Sequence, residues 1–79
     1  MPTVKEIIIK MQNAPNSIKF SEAQKVLAAK GYFLVRQKGS HAQFRDAAGL
    51  VITVKKENTI KAVYVKDILR RIGANEKSK

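Results

Sequence analysis

His41, the only histidine of the chain, stands among residues that could bind a phosphate and transfer a proton. Arg36 and Lys38 precede it, and Gln43 and Arg45 follow it at alternate positions. An imidazole titrates close to neutral pH, so it can accept or donate a proton there. Guanidinium and ammonium groups bind phosphate oxygens through charge-assisted hydrogen bonds. The set could support acid–base chemistry on a phosphate ester, whereas a lone histidine on a strand is more often a surface or hydrogen-bonding residue.

The Gly39-Ser40 pair between two strand-like stretches predicts a tight β-hairpin, in which Gly39 supplies the positive φ of a type II′ turn. Because side chains alternate between the two faces of a strand, we expect one basic face and one core face. The predicted cross-strand pairs are Lys38 with His41, Gln37 with Ala42, Arg36 with Gln43, Val35 with Phe44 and Leu34 with Arg45. The basic face then carries Arg36, Lys38, His41, Gln43 and Arg45, and the core face carries Phe33, Val35, Ala42 and Phe44.

A third strand is predicted from Leu50 to about Lys55, with its alternate apolar residues on the core side. An odd number of loop residues before this strand is needed to bury them, and three residues with Gly49 at a bulge satisfy that condition. In this register Thr53 lies opposite His41, and Lys55 joins the basic face.

Amphipathic helices are predicted on the core side of this sheet. Residues 3–6 have the form of a capping box, and Ser21-Glu22-Ala23-Gln24 forms a second box that opens the next helix. A last helix runs from about Ala62 to Ile72 and ends at Gly73. The order is α-α-β-β-β-α, which predicts an α+β fold whose helices cover one face of a three-stranded antiparallel sheet. The other face of the sheet is left open.

The composition indicates an anionic partner. Sixteen Lys and Arg against six Asp and Glu give a formal net charge of +10 over 79 residues. Solubility alone can explain such a charge. An excess of cations this large in so short a chain nevertheless favours nucleic acid as a partner.

The chain has no cysteine and one histidine, so we expect no disulfide, no metal and no cofactor. No stretch resembles a signal peptide or a membrane span, and we expect a cytoplasmic protein with one domain at 1–73 and a disordered tail at 74–79.

One motif of the chain resembles the core motif of the HicA-type toxins, also called YcfA-like mRNA interferases. It consists of Arg36, Lys38, Gly39, Ser40 and His41, and it follows a predicted helix and Gly31-Tyr32. The resemblance covers about residues 18–73. Residues 60–69 are similar to the closing helix of longer family members, and the extra N-terminal helix predicted here also fits that longer subfamily. It implies a fold like a double-stranded-RNA-binding domain. It also implies a type II toxin–antitoxin system in which a HicB-type antitoxin neutralises a toxin that cleaves mRNA, with the motif histidine essential.

The sequence departs from the family pattern at two places. Many members carry a second histidine directly after the first, where this chain has Ala42. Many also end the third strand with Val-Pro and a nearby histidine, where this chain has Val54-Lys55-Lys56. A mechanism that needs two imidazoles is therefore closed to this chain.

The resulting hypothesis is a metal-independent endoribonuclease with His41 as the single general acid/base. The 2′-hydroxyl attacks the adjacent phosphorus, His41 accepts the proton of that hydroxyl, and Lys38 and Arg36 hold the scissile phosphate. The expected RNA- or phosphate-binding residues are Arg36, Lys38, Gly39, Ser40, Gln43, Arg45 and Lys55. Lys55, Tyr64 and water are all candidates for the proton donor to the leaving oxygen.

Two other interpretations use the same basic face. A non-catalytic RNA-binding module would contact phosphates and RNA shape without chemistry. A protein-interaction domain would dock an acidic partner on its cationic sheet. Cleavage of RNA in EDTA that depends on His41 separates the enzyme from both.

Overall fold

A computed structural model describes residues 3–73, within which the chain forms three α-helices and a three-stranded antiparallel sheet. The elements are α1 (Val4–Asn13), a 3₁₀ turn (Pro15–Ser17), α2 (Phe20–Ala29), β1 (Phe33–Lys38), β2 (His41–Arg45), β3 (Val51–Lys55) and α3 (Ala62–Arg71). This order confirms the predicted α+β class and is consistent with a double-stranded-RNA-binding-domain-like fold. The strand order is β1-β2-β3, so β1 and β3 are the two edges. The tail predicted at 74–79 lies outside the described residues.

The first helix begins with the predicted capping box, and the second begins earlier than predicted. Thr3 Oγ1 accepts a hydrogen bond from the Glu6 amide at 3.2 Å, and Glu6 Oε1 accepts one from the Thr3 amide at 2.8 Å. These bonds satisfy amides that a helix N-terminus leaves free. In α2 the N-cap is Lys19 rather than Ser21, because the Glu22 carboxylate accepts from the Lys19 amide at 2.9 Å.

One hydrophobic core lies between the helices and the sheet. Its largest fully buried side chains are Phe44, Ile7, Met11, Ile18, Leu27, Ile52, Ile60, Ile68, Val26, Val54 and Val65. The connections contribute as well as the helices and strands, since the Ile60 amide donates to the Ile18 carbonyl at 2.9 Å. No helix within residues 3–73 is long and apolar enough to cross a membrane.

Strand β1 is exposed along its whole length, and the prediction that Phe33 and Val35 face the core is wrong. Phe33, Leu34 and Val35 keep 60%, 43% and 58% of their surface accessible. A β-bulge interrupts the register at Val35, so Leu34 lies opposite Phe44 and Phe33 lies opposite Arg45. The extra residue moves every position before it to the opposite face, which the simple alternation did not include.

The loop between β2 and β3 holds five residues, 46–50, rather than the predicted three. Asp46 organises it, because its Oδ1 accepts from the amides of Ala48 at 3.1 Å and Leu50 at 2.8 Å. Gly49 takes a φ of 90° in this loop. The number of loop residues is odd, as predicted, so the alternate apolar residues of β3 face the core. Leu50 itself lies outside the strand and is half exposed.

Candidate nucleic-acid interface

The Gly39-Ser40 turn sets the position of His41 at the start of β2. Gly39 has a φ of 60°, and among the described residues no non-glycine has a positive φ. That combination matches the predicted type II′ turn, since type I′ needs a positive φ at both central residues. The Gln37 side chain donates to the Gly39 carbonyl at 3.2 Å, and the Lys56 amide donates to the Ser40 carbonyl at 2.6 Å. The turn is therefore held from β1 and from the end of β3.

Three rows of paired residues make up the surface of the sheet that the helices do not cover, which we call the open face. Ala42 and Phe44 are buried, so the residues between and beside them on β2 point to the opposite side. The first row is Lys38, His41 and Lys55, the second is Arg36, Gln43 and Thr53, and the third is Phe33, Arg45 and Val51.

The open face contains every side chain that the sequence predicts for the basic face. The predicted opposition of Lys38 and His41 is confirmed. The predicted opposition of Thr53 and His41 is wrong, because the longer loop shifts β3 by two residues. Lys55 lies directly opposite His41 instead, and Thr53 pairs with Gln43. His41 therefore stands between a lysine on each neighbouring strand.

The first row is solvent-accessible and carries free positive charge. His41 and Lys38 are exposed, and Lys55 is half-buried. Directly opposed residues in antiparallel strands have Cβ atoms about 4.5–5.5 Å apart, so both lysine side chains are within reach of a phosphate bound at the imidazole. Within residues 3–73 no carboxylate forms an ion pair with Lys38 or Lys55. The row can therefore bind an anion without first breaking an internal ion pair.

A groove of about 520 Å³ runs beside β3, between the strand and α3. Its lining residues are Val51, Thr53, Val63, Tyr64, Lys66, Asp67, Arg70 and Arg71. The Arg71 guanidinium donates to the Val51 carbonyl at 3.2 Å and lies 3.6 Å from Asp67, which also pairs with Arg70. Sequence reasoning missed this groove, although charged residues spaced three and four apart on the outer side of α3 were a visible signal. Tyr64 lines this groove, whereas Lys55 lies in the row of His41.

A comparison with protein families identifies the chain. A family model for the "HicA toxin of bacterial toxin-antitoxin" matches residues 20–74. The chain belongs to the HicA toxin family. The protein is thus the toxin of a toxin–antitoxin pair, and its family implies an antitoxin partner and an RNA target. Comparisons with curated proteins and with solved structures give no significant match.

The HicA family match includes the whole open face and leaves out α1. That helix contributes Ile7 and Met11 to the core and contacts α2 through a salt bridge from Lys10 to Glu22 at 3.2 Å. Within residues 3–73 no three or more His, Cys, Asp or Glu side chains come together as a candidate metal site. The chemistry that this face offers is that of one imidazole flanked by cations.

Proposed function

We propose that this HicA-family toxin is an endoribonuclease that cleaves mRNA without a metal ion, with His41 as its single general acid/base. The observation that supports this proposal is the placement of His41 between Lys38 and Lys55 on the open face. Cleavage by the 2′-hydroxyl needs a proton acceptor close to positive charge that stabilises the developing phosphorane. The first row supplies both.

In the proposed reaction, the His41 imidazole accepts the proton of the 2′-hydroxyl while the 2′-oxygen attacks the adjacent phosphorus. The bond from phosphorus to the 5′-oxygen breaks, which leaves a 2′,3′-cyclic phosphate and a 5′-hydroxyl. Lys38 and Arg36 bind the non-bridging oxygens and stabilise their charge. The leaving 5′-oxygen takes its proton from a solvent water, and Lys55, which lies directly opposite His41, adds a positive charge that stabilises the phosphorane. Tyr64 lies away from this row, in the groove beside β3.

The remaining predicted residues extend this site. Gly39 and Ser40 form the exposed turn next to the first row, where a phosphate can approach the backbone closely. Gln43 and Arg45 continue along β2 and provide further contacts to the RNA strand. A HicB-type antitoxin in the cytoplasm would neutralise the toxin by covering the open face.

One observation favours a second candidate, a non-catalytic RNA-binding module. Within residues 3–73 no hydrogen bond orients the imidazole of His41, whereas a general base is usually held by a further group. A basic face without an oriented base can still bind phosphates and RNA shape.

The test is incubation of purified protein with message RNA in EDTA. The enzyme predicts fragments with 5′-hydroxyl ends, and it predicts that His41→Ala slows their formation by about 10²- to 10⁴-fold with RNA binding retained. Lys5→Ala, which removes an exposed lysine from α1, should cleave like the wild type. Intact RNA that both wild type and His41→Ala shift in a gel would instead identify the binding module.

A further inference from the structure

The helices leave every residue of strand β1 exposed. Residues 33–35 are three consecutive apolar side chains, and all three are exposed. Leu34 points to the helix side of the sheet, opposite the buried Phe44, and yet the helices leave it accessible. Both faces of β1 and its outer edge are therefore available at once. Contiguous exposed apolar side chains on an edge strand mark a site of pairing with another chain.

The two edges of the sheet differ. At β3 the Arg71 guanidinium donates to the Val51 carbonyl at 3.2 Å, and α3 forms a wall beside the strand. At β1 no backbone hydrogen bond from another element reaches the outer edge within residues 3–73. A strand from another chain can therefore extend the sheet at β1 with less obstruction than at β3.

Charge selects between the possible occupants of this edge. Arg36 and Lys38 continue β1 beyond the apolar residues, and the chain has a net charge of +10. A second copy would bring the same cations to the same edge, and like charges on paired strands are destabilising. The bulge at Val35 also interrupts the regular ladder that self-pairing uses. An acidic segment would instead gain ion pairs with Arg36 and Lys38.

We propose that β1 is the docking edge for an extended, acidic segment of the antitoxin, which adds a fourth strand to the sheet. Its apolar side chains cover residues 33–35, and its carboxylates contact Arg36 and Lys38. Because Lys38 lies opposite His41, a segment bound along β1 brings the rest of the antitoxin over the first row of the open face. The choice of the antitoxin as occupant rests on the proposed toxin function.

Two valines provide a matched test. Val35 on β1 and Val63 on α3 are 58% and 66% exposed, and Val63 lies near the opposite edge of the sheet. The probe is the antitoxin encoded by the gene adjacent to that of this chain, titrated against each full-length variant by calorimetry. We expect Val35→Glu to weaken antitoxin binding at least tenfold and Val63→Glu to change it less than twofold. Both variants should keep wild-type RNA cleavage, and bound antitoxin should slow amide exchange in residues 33–38.

Several results would overturn the proposal. Equal effects of the two glutamates, or no binding of the antitoxin by the wild type, would remove β1 as its docking edge. Weaker RNA binding by Val35→Glu would assign β1 to the RNA interface, and a wild-type dimer that Val35→Glu dissociates would assign it to a second copy. If the antitoxin binds through β1 while the wild type cleaves no RNA, the docking proposal is supported and the ribonuclease proposal fails.

Discussion

Lys55→Ala removes the cation that the β2–β3 register places opposite His41. At a separation of about 5 Å, two unit charges interact by about 0.8 kcal/mol in water and by about 3 kcal/mol at an effective dielectric constant of 20. The open face is accessible to solvent, so the lower part of this range applies to the charge of Lys55 acting on a phosphorane. A loss of about 1–2 kcal/mol corresponds to a fall of about 5- to 30-fold in kcat/KM.

The assay is single-turnover cleavage of message RNA in EDTA, at low and at high salt. The deficit of Lys55→Ala should shrink as salt rises, since exposed charges are screened. A double variant, Lys55→Thr with Thr53→Lys, keeps the composition and moves the cation one row away, to face Gln43. Diagonal cross-strand neighbours are about 7–8 Å apart, so this variant should be nearly as slow as Lys55→Ala. Lys5→Ala controls for the loss of a positive charge elsewhere.

The reasoning fails if Lys55→Ala cleaves at the wild-type rate at low salt. It also fails if the double variant cleaves at the wild-type rate, because the row occupied by the cation would then have no effect. Equal deficits in Lys55→Ala and Lys5→Ala, with none in the double variant, would indicate that net charge matters and register does not.

Three further substitutions test the turn, the contact between the first two helices, and the core. Gly39→Ala forces an alanine to a φ of 60°, which should lower the free energy of unfolding in urea by about 1–2 kcal/mol and also reduce cleavage. The control Gly73→Ala places an alanine at a φ of 78° away from the site, and it should lower the free energy of unfolding alone. A hydrogen bond from the Lys19 amide, and to a lesser extent the salt bridge from Lys10 of α1, hold the pKa of Glu22 below its ordinary 4.5. The ionised carboxylate therefore stabilises the fold above pH 4.5, and this effect is lost as the pH falls through the lowered pKa. Glu22→Gln should therefore lower stability by about 0.5 kcal/mol at pH 7, and urea titrations should show the difference vanish in acid. Phe44→Ala empties the centre of the core, where Phe44 is 1% exposed, and should lower stability by about 3–5 kcal/mol, which thermal unfolding followed by circular dichroism will detect.

The sequence predicts the structure best close to the Gly39-Ser40 turn. A two-residue turn fixes the register of the strands that it joins, so the opposition of Lys38 and His41 follows from the turn chemistry. The predicted register no longer holds farther from the turn, at the bulge at Val35 and beyond the loop organised by Asp46. A bulge at a valine has no distinctive local pattern, and a loop containing Gly49 is compatible with three or with five residues. An odd number of loop residues was predictable, because the apolar side chains of β3 are buried only in that case. The choice between three and five residues depends on the hydrogen bonds that Asp46 accepts in the loop.

Exposure was harder to predict than strand identity. Residues 33–35 are typical of a buried strand, and they are exposed because the helices leave the side chains of β1 uncovered. The extent of that layer depends on how α1, α2 and α3 pack together, which hydrophobic periodicity does not specify. The groove beside β3 has the same origin, since it needs the position of α3 relative to the strand. Charge and alternation therefore predicted the residues of the open face, and tertiary packing determined its surroundings.

Chemical rescue of His41→Ala tests the central claim most directly. His41 is exposed on the open face, so free imidazole can reach the space that its side chain leaves. The proposed mechanism predicts that added imidazole restores cleavage of message RNA in EDTA, in proportion to the concentration of its neutral form, and yields the same 5′-hydroxyl ends. Undiminished cleavage by His41→Ala without imidazole, or no rescue of a variant that still binds RNA like the wild type, would contradict the assignment of His41 as the proton acceptor.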